Sequence, residues 1–256
     1  MSFQERIRQK KGKEKIIMLT AYDFQMARIL DQTGIDLILV GDSSGMVVQG
    51  YDDTKSVTMA DMVFHAKAVA RGAKTTPIIG DMPIDSCHTV EDCLRNARQF
   101  LEAGASGVKI EGKKTDAVKA LLNMGIPVMG HVGMFPQMAE AYRVKGKKPE
   151  EAQQILQDAQ ELSRLGVFSI VLECIPESLG KTITESVSVP TIGIGAGKHC
   201  DGQVLVINDM LGFDENFRPK YVKTYADLNR TIRDAVAKFI EEVTTGKYPD
   251  EEHTYH

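Results

Sequence analysis

Ionisable side chains follow five short apolar runs of this chain, at the point where each run ends. They are Asp42, Asp81, Glu111, His131 and Glu173. Carboxylate oxygens are ligands that Mg²⁺ and Mn²⁺ prefer, and a partly desolvated carboxylate can move a proton near neutral pH. A single Asp in such a place is also a common helix N-cap. Five such residues in equivalent positions predict an enzyme with an acidic, metal-binding site.

The apolar runs have the β-branched and aliphatic composition of buried parallel strands. Eight strands are predicted, the eighth with the weakest pattern, at 16–20, 38–42, 77–80, 107–111, 127–130, 170–173, 190–194 and 204–207. Helices are predicted between most of them, at 22–31, 58–72, 89–104, 115–124, 149–166, 177–187 and 225–245. The pattern favours a single (β/α)8 barrel over residues 1–256, whose strand ends would meet on one face. A doubly wound open sheet is the alternative fold.

Composition excludes several classes of protein. The net charge of -4 argues against nucleic acid as a partner, since phosphate binding needs a concentrated basic surface. No apolar run approaches the ~18 residues of a membrane span. The basic stretch at 6–15 contains Glu14, which favours a solvated first helix over a transit peptide. The four cysteines form no CxxC pair, so we expect reduced thiols and a cytoplasmic protein.

Two glycine-containing segments resemble phosphate-binding or anion-binding motifs only weakly. Residues 107–114 follow most of a Walker A spacing, but Lys114 replaces the required Ser or Thr and the segment reads as a strand, so this motif is rejected. Residues 193–197 are glycine-rich after the seventh strand. An anion-binding loop and a tight turn are both open interpretations of that segment.

The chemistry expected of the site follows from its donor types. Oxygen ligands without a paired His or Cys favour Mg²⁺ over zinc. Such a site typically chelates a 2-oxo acid and stabilises the enolate formed when a base removes a neighbouring proton. Glu173 is the candidate base. Lys109 shares a strand face with Glu111, where it forms an ion pair or binds an anionic substrate.

Several motifs together resemble the ketopantoate hydroxymethyltransferase family. They lie at 18–23 (MLTAYD), 40–43 (VGDS), 108–112 (VKIEG), 130–133 (GHVG), 172–174 (LEC) and 192–197 (IGIGAG). The resemblance implies a barrel of the phosphoenolpyruvate/pyruvate-binding type. It also implies transfer of a one-carbon unit from 5,10-methylenetetrahydrofolate to 3-methyl-2-oxobutanoate, which gives 2-dehydropantoate for pantothenate biosynthesis.

The same resemblance implies roles for individual residues. Asp42 and Asp81 would ligate one Mg²⁺ per subunit and contact the substrate, with Glu111 supporting the metal directly or through water. Ser43 and Lys109 would hold the oxo acid, His131 would line the pocket, and Glu173 would be the proton acceptor. The family usually assembles as a homodecamer.

The chain departs from the family pattern at two places. Residues 84–87 (IDSC) replace larger apolar or aromatic residues, and the segment 134–148 is short and lacks a Thr before Pro136. Because that segment should cover the barrel mouth, the folate contacts are less firmly predicted than the metal site. The rival enzyme is an isocitrate-lyase-like C–C lyase that would use Cys87. A non-catalytic metabolite-binding barrel is disfavoured because all the expected site residues are present.

Overall fold

The computed structural model describes residues 1–138, 143–215 and 219–256. Eight parallel strands pair in chain order and close into a barrel, as the sequence predicts. The strands are β1 (Ile16–Thr20), β2 (Leu37–Val40), β3 (Ile78–Asp81), β4 (Gly107–Glu111), β5 (Val128–Gly133), β6 (Ser169–Glu173), β7 (Thr191–Ile194) and β8 (Gly202–Leu205).

Ten α-helices occur in the described part of the chain. They are α1 (Phe3–Gln9), α2 (Phe24–Leu30), α3 (Ser44–Val47), α4 (Met59–Gly72), α5 (Val90–Glu102), α6 (Thr115–Asn123), α7 (Pro149–Leu165), α8 (Glu177–Ser186), α9 (Ile207–Leu211) and α10 (Leu228–Thr244). The short helices α3 and α9 are not predicted from the sequence. None of the described helices is long and apolar enough to cross a bilayer.

The chain forms two compact units, Met1–Val206 and Ile207–His256. The first contains all eight strands, so the single domain over residues 1–256 stays a prediction. In the second, α9 and α10 are tied by backbone hydrogen bonds from Asn229 to Gly212 and from Tyr225 to Met210.

The barrel interior is apolar toward the amino ends of the strands. Its buried cluster includes Met18, Leu37, Ile79, Met129 and Val171. Side chains alternate between the two faces of a strand, so positions 81, 131 and 173 point to the same interior as Ile79, Met129 and Val171. The interior side chains are therefore apolar near the amino ends of the strands and ionisable at the carboxyl ends, which form the barrel mouth.

Helix boundaries follow local signals that the sequence contains. Thr58 and Asp61 form a reciprocal capping box at the start of α4, which satisfies backbone donors that the first helical turn leaves open. Gly166 ends α7 in the left-handed conformation, with φ of 100°, which glycine adopts without steric cost. Both boundaries confirm the prediction.

Two strand predictions need correction. Strand β5 runs on to Gly133 because its last residues continue to pair with β6. The eighth strand lies at Gly202–Leu205 and not at 204–207. Gly202 pairs with Ile16, and a Cβ at Gly202 would lie 2.4 Å from the Ile16 carbonyl oxygen. Strand β8 therefore begins where its backbone lies close to that of β1, and an apolar sequence pattern does not indicate such a position.

The prediction of reduced thiols is wrong for two of the four cysteines. Cys87 and Cys93 form a disulfide with a Cα–Cα distance of 4.3 Å. The loop after β3 folds back onto the first turn of α5, and Asn96 of that helix donates a hydrogen bond to the Ser86 carbonyl. This return of the chain brings together two cysteines six positions apart. Cys174 and Cys200 are free.

Candidate active site

The predicted site residues meet at the carboxyl ends of the strands. Asp81, Glu111 and Glu173 are the last residues of β3, β4 and β6, His131 lies within β5, and Asp42 follows β2. Together with Lys109 of β4 they form what we call the mouth cluster. All six are buried, with exposed fractions between 0% and 9%. Parallel registers place Asp81 beside Lys109 and Glu111 beside His131.

Lys109 and Asp81 form a buried ion pair. The Lys109 Nζ donates to both carboxylate oxygens of Asp81, at 2.9 and 2.7 Å. Burial alone would lower the pKa of Lys109, but the charges of Asp81 and Asp42 outweigh it and raise that pKa above its ordinary value. Lys109 is therefore a fixed cation at the centre of an acidic cluster. The ion pair anticipated for Lys109 is made with Asp81 of the neighbouring strand.

Asp42 is the second carboxylate beside this cation. Burial, followed by the charge of Asp81, raises its pKa to about 7. Its Oδ2 accepts a hydrogen bond of 2.9 Å from the side-chain amide of Gln137. A buried carboxylate with a carboxylate neighbour is costly in the ionised form, and a bound cation would offset this cost.

His131 stands between the other two carboxylates. Its Nε2 lies 3.3 Å from Glu173 Oε2 and its Nδ1 lies 3.7 Å from Glu111 Oε1. Neither approach has hydrogen-bond geometry, and both nitrogens lack a hydrogen-bond partner within the described residues, as do both Glu111 oxygens. Since buried polar groups are almost always paired, these atoms are open to a ligand.

The pKa values of Glu173, Glu111 and His131 are all shifted from their ordinary values. Burial raises the pKa of Glu173 to about 7 and that of Glu111 well above its ordinary range. Burial, reinforced by Lys109, lowers the pKa of His131 well below its ordinary value. His131 is therefore a neutral imidazole at pH 7, while Glu173 can both hold and release a proton there.

The hydroxyl groups of Ser43 and Tyr22 lie next to the mouth cluster. Ser43, directly after Asp42, makes a 2.8 Å hydrogen bond to the Tyr22 hydroxyl. Sequence reasoning assigned Ser43 to the site but gave no role to Tyr22 or to Gln137. Tyr22 lies in one of the family motifs, and Gln137 lies in a loop after a barrel strand. Only their positions along the chain could have indicated a role for them.

The backbone around Glu173 is tightly packed. At Gly133, with φ of 108°, a Cβ would lie 2.3 Å from the Glu173 carbonyl oxygen. Met134 donates a backbone hydrogen bond to that same oxygen. Cys174 follows with φ of 47°, a conformation that is uncommon for a residue other than glycine. These contacts fix the strand end that carries Glu173.

The segment expected to cover the mouth is described in part. Phe135 stands where the family pattern has Thr and packs edge-on against the His131 ring, with centroids 5.5 Å apart. Gln137 lies in a turn of 3-10 helix at Pro136–Met138. Residues 139–142, within the predicted short segment 134–148, lie outside the described residues.

The oxygen donors of the mouth cluster suit a magnesium ion better than a transition metal. No group of three or more His, Cys, Asp or Glu side chains within the described residues is placed to hold a metal ion, so the protein offers no cage of three such ligands there. Mg²⁺ does not require such a cage, because it keeps several waters and is bound by one or two carboxylates. Asp42 and Asp81 are the two carboxylates that could bind such an ion, and Glu111 lies nearby at the end of β4.

Solved structures with the same fold come from a superfamily of barrel enzymes. A 2,3-dimethylmalate lyase of the PEP mutase/isocitrate lyase superfamily aligns with a TM-score of 0.62 at 16% identity, covering 99% of this chain and 92% of that chain. A phosphonopyruvate hydrolase, solved with oxalate and Mg²⁺, aligns with a TM-score of 0.64 at 13% identity, covering 99% and 93%. These matches show the fold.

Sequence relatives are much closer. The 3-methyl-2-oxobutanoate hydroxymethyltransferase of Syntrophomonas wolfei is 51% identical over 253 residues, covering 96% of this chain and 92% of the relative. The enzyme of the same name from Caldicellulosiruptor saccharolyticus is 50% identical over 248 residues, covering 94% of each. Residues 2–251 match the sequence model of the ketopantoate hydroxymethyltransferase family. The chain therefore belongs to this family.

Proposed function

We propose that this chain transfers a hydroxymethyl group from 5,10-methylenetetrahydrofolate to 3-methyl-2-oxobutanoate and produces 2-dehydropantoate, a step of pantothenate biosynthesis. One observation carries the proposal beyond family membership. The mouth cluster combines a fixed cation, Lys109, which is paired with Asp81 and lies near Asp42, with a separate carboxylate, Glu173, beside the neutral His131. This division suits binding of an anionic oxo acid on one side and removal of its proton on the other.

Glu173 is the proposed general base. A base works best when its pKa lies near the working pH, and burial raises the pKa of Glu173 to about 7. Its carboxylate would accept the C3 proton of 3-methyl-2-oxobutanoate. His131, neutral and 3.3 Å away, adds no positive charge that would lower the basicity of Glu173, and it would line the substrate pocket.

Lys109 and Ser43 are proposed to bind the oxo acid. Lys109 stays protonated because Asp81 and Asp42 raise its pKa, so it would balance the substrate carboxylate and the negative charge that develops in the enolate. A protonated, ion-paired amine is a poor nucleophile, which disfavours a Schiff base. The Ser43 hydroxyl, held by Tyr22, would donate a hydrogen bond to the substrate.

Asp42 and Asp81 are proposed to hold one Mg²⁺ per subunit, with Glu111 supporting it. When bound, the ion would polarise the keto oxygen of the oxo acid and stabilise the enolate. Because Lys109 contacts both oxygens of Asp81, Asp81 would have to be shared between the lysine and the metal. The magnesium and oxalate in the phosphonopyruvate hydrolase are in line with this proposal.

The lyase alternative is less well supported by this chain. It would need Cys87 as a reactive thiol in the loop after β3. Cys87 is 8% exposed and bonded to Cys93, so it holds no free thiol in this structure. A homodecameric assembly remains a prediction from the family resemblance, and a cytoplasmic location remains a prediction from the cysteine pattern.

A coupled assay tests the proposed reaction. Formation of 2-dehydropantoate from 3-methyl-2-oxobutanoate is measured with both 5,10-methylenetetrahydrofolate and Mg²⁺, and with each omitted in turn. We expect product only when both are present. Isocitrate and 2,3-dimethylmalate serve as control substrates, and cleavage of either one without hydroxymethyl transfer would replace the proposal with a lyase activity.

A further inference from the structure

Gln137 makes two hydrogen bonds at the centre of the site. Its side-chain nitrogen lies 2.9 Å from Asp42 Oδ2 and 2.9 Å from the Met82 carbonyl oxygen. The residue is 6% exposed. Both donor hydrogens of the amide are therefore used in a region from which solvent is largely excluded.

The orientation of this amide follows from its partners. A backbone carbonyl can only accept a hydrogen bond, and an ionised carboxylate can only accept as well. The NH₂ end of Gln137 must face them, because the oxygen end would bring acceptors together. Gln137 thus favours the ionised form of Asp42, which is the form that a cation requires.

These contacts join three loops of the barrel mouth. Asp42 lies after β2, Met82 directly follows Asp81 at the end of β3, and Gln137 lies after β5. Gln137 therefore contacts one proposed metal ligand directly and the backbone next to the other. Within the described residues, the side-chain hydrogen bond to Asp42 reaches Oδ2, which leaves Oδ1 for a ligand.

We propose that Gln137 is a positioning residue that orients Asp42 and Asp81 for magnesium, so that the segment 134–138 must be docked for the ion to bind tightly. This inference rests on the proposed function, since it assumes that these two aspartates hold the metal. Groups that orient metal ligands typically change metal affinity by ~10–100-fold when they are removed.

A further consequence concerns the loop itself. If docking of Gln137 strengthens metal binding, then metal binding must strengthen docking by the same factor, because the coupling between two equilibria is reciprocal. Bound metal should therefore slow amide hydrogen exchange at residues 134–138 in the wild-type chain. The Gln137→Met variant, which keeps side-chain length but loses both donors, should lose this protection.

Manganese binding gives the direct test. Mn²⁺ accepts the same oxygen ligands as Mg²⁺ and is detected by electron paramagnetic resonance, without oxo acid or folate present. For Gln137→Met we expect an affinity weaker by ~10–100-fold and an altered spectrum of the bound ion. The matched control is Met138→Ala in the same 3-10 turn, where the side chain is 79% exposed; its affinity and spectrum should equal those of the wild type.

The outcomes separate the two levels of the proposal. If the wild type binds no Mn²⁺ and no Mg²⁺, the proposed metal site fails and the role of Gln137 fails with it. If the wild type binds and Gln137→Met binds equally tightly with an unchanged spectrum, only the positioning role is overturned. If Gln137→Met does not fold, Gln137→Asn takes its place, because the shorter amide cannot reach both acceptors, and wild-type affinity there would equally overturn the role.

Discussion

The two ends of the barrel are equally buried but differ in what they bury. At the amino-terminal end, which we call the floor, Ile7 of α1 packs with Ile16 and Phe168, and the Phe3 ring lies 5.4 Å from that of Phe168. At the mouth, His131 and Asp81 are just as inaccessible, with exposed fractions of 0% and 1%.

Burial stabilises one end and destabilises the other. Apolar side chains at the floor gain about 25 cal/mol for each Å² removed from water, whereas buried ionisable groups lose hydration that only a partner can replace. Among the described residues, Ser169 at the start of β6 has one buried hydroxyl oxygen without a hydrogen bond, whereas Glu111 and His131 at the mouth have four such atoms, all on ionisable groups. The difference indicates that the floor maintains the fold and that the mouth is completed by its ligands.

Breaking the central ion pair should have the largest effect, because it acts on both stability and binding. Lys109→Met leaves Asp81 buried without its cation, which should lower the unfolding free energy by about 3–5 kcal/mol and abolish binding of 3-methyl-2-oxobutanoate. Urea denaturation and calorimetric titration measure the two effects. Borohydride added with the oxo acid should leave no covalent adduct on Lys109 of the wild type, and a stable adduct there would overturn the assigned role.

The control for this variant lies at the floor. Lys11 pairs with Asp201 at 3.1 Å, but the Lys11 side chain is 22% exposed, and Asp201 also accepts backbone hydrogen bonds from Gly12 and Thr191. Lys11→Met should therefore cost only about 0–1 kcal/mol and leave oxo-acid binding unchanged. Equal losses in the two variants would remove the contrast between the two ends.

A substitution at the mouth can also spare the fold. Asp42→Asn keeps the shape of the side chain and an acceptor for Gln137, but it removes the charge that a cation needs. We expect metal-dependent turnover to fall by about 10³-fold or more, since metal ions contribute several kcal/mol to a transition state. The unfolding free energy of the metal-free protein should fall little. Near-normal turnover at saturating Mg²⁺ would remove Asp42 from the metal site.

The converse variant changes the floor alone. Phe168→Ala removes a ring that is 1% exposed, and large cavities of this kind cost about 3–5 kcal/mol. Thermal and urea denaturation should show this loss, while turnover per folded molecule stays at the wild-type level. A selective loss of turnover in the folded variant would show that the floor and the mouth are coupled.

The last prediction concerns the dependence of stability on pH. In the folded chain the pKa of Glu173 is raised from 4.5 to about 7 by burial, so the folded state holds a proton that the unfolded state lacks in this interval. Protonated Glu173 makes its full contribution to the free energy of unfolding below the pKa of the unfolded state. This contribution is lost as pH rises through the pKa of the folded state. The unfolding free energy of metal-free Glu173→Gln should therefore rise, relative to wild type, from about pH 5 to about pH 8.

The matched control for this pH effect is Glu185→Gln. Glu185 lies on α8 with a side chain that is 67% exposed, so its substitution should produce no such trend. Parallel pH profiles for wild type and Glu173→Gln would contradict the raised pKa.

Much of the barrel could be predicted because its signals are local. Continuous apolar runs indicate the strands, and helix boundaries such as Thr58 and Gly166 indicate the helices, each to within a few residues. The strand ends then place Asp81, Glu111 and Glu173 together, since all parallel strands point the same way. Strand β8 was misplaced because Gly202 and Gln203 lack an apolar pattern and are held by pairing with β1.

Pairings between distant segments could not be predicted from the sequence. The ion pair of Lys109 with Asp81 depends on the register of β3 and β4, and the contact of Gln137 with Asp42 depends on the path of the chain after β5. Even the Cys87–Cys93 bond, between residues six positions apart, depends on how the loop after β3 turns back onto α5. Spacing along the chain does not fix such contacts. Burial could not be quantified either, and it is burial that raises the pKa of Glu173 and lowers that of His131.

In the proposed reaction the mouth cluster removes a proton from an oxo acid, and Glu173 accepts that proton. The most direct measurement follows exchange of the C3 proton of 3-methyl-2-oxobutanoate in deuterated water by NMR, with Mg²⁺ present and folate absent. We expect exchange with the wild type and a rate lower by ~10²–10⁴-fold with Glu173→Gln, while calorimetry shows that this variant still binds the oxo acid. Exchange at the wild-type rate in Glu173→Gln would contradict the assignment and place the base elsewhere.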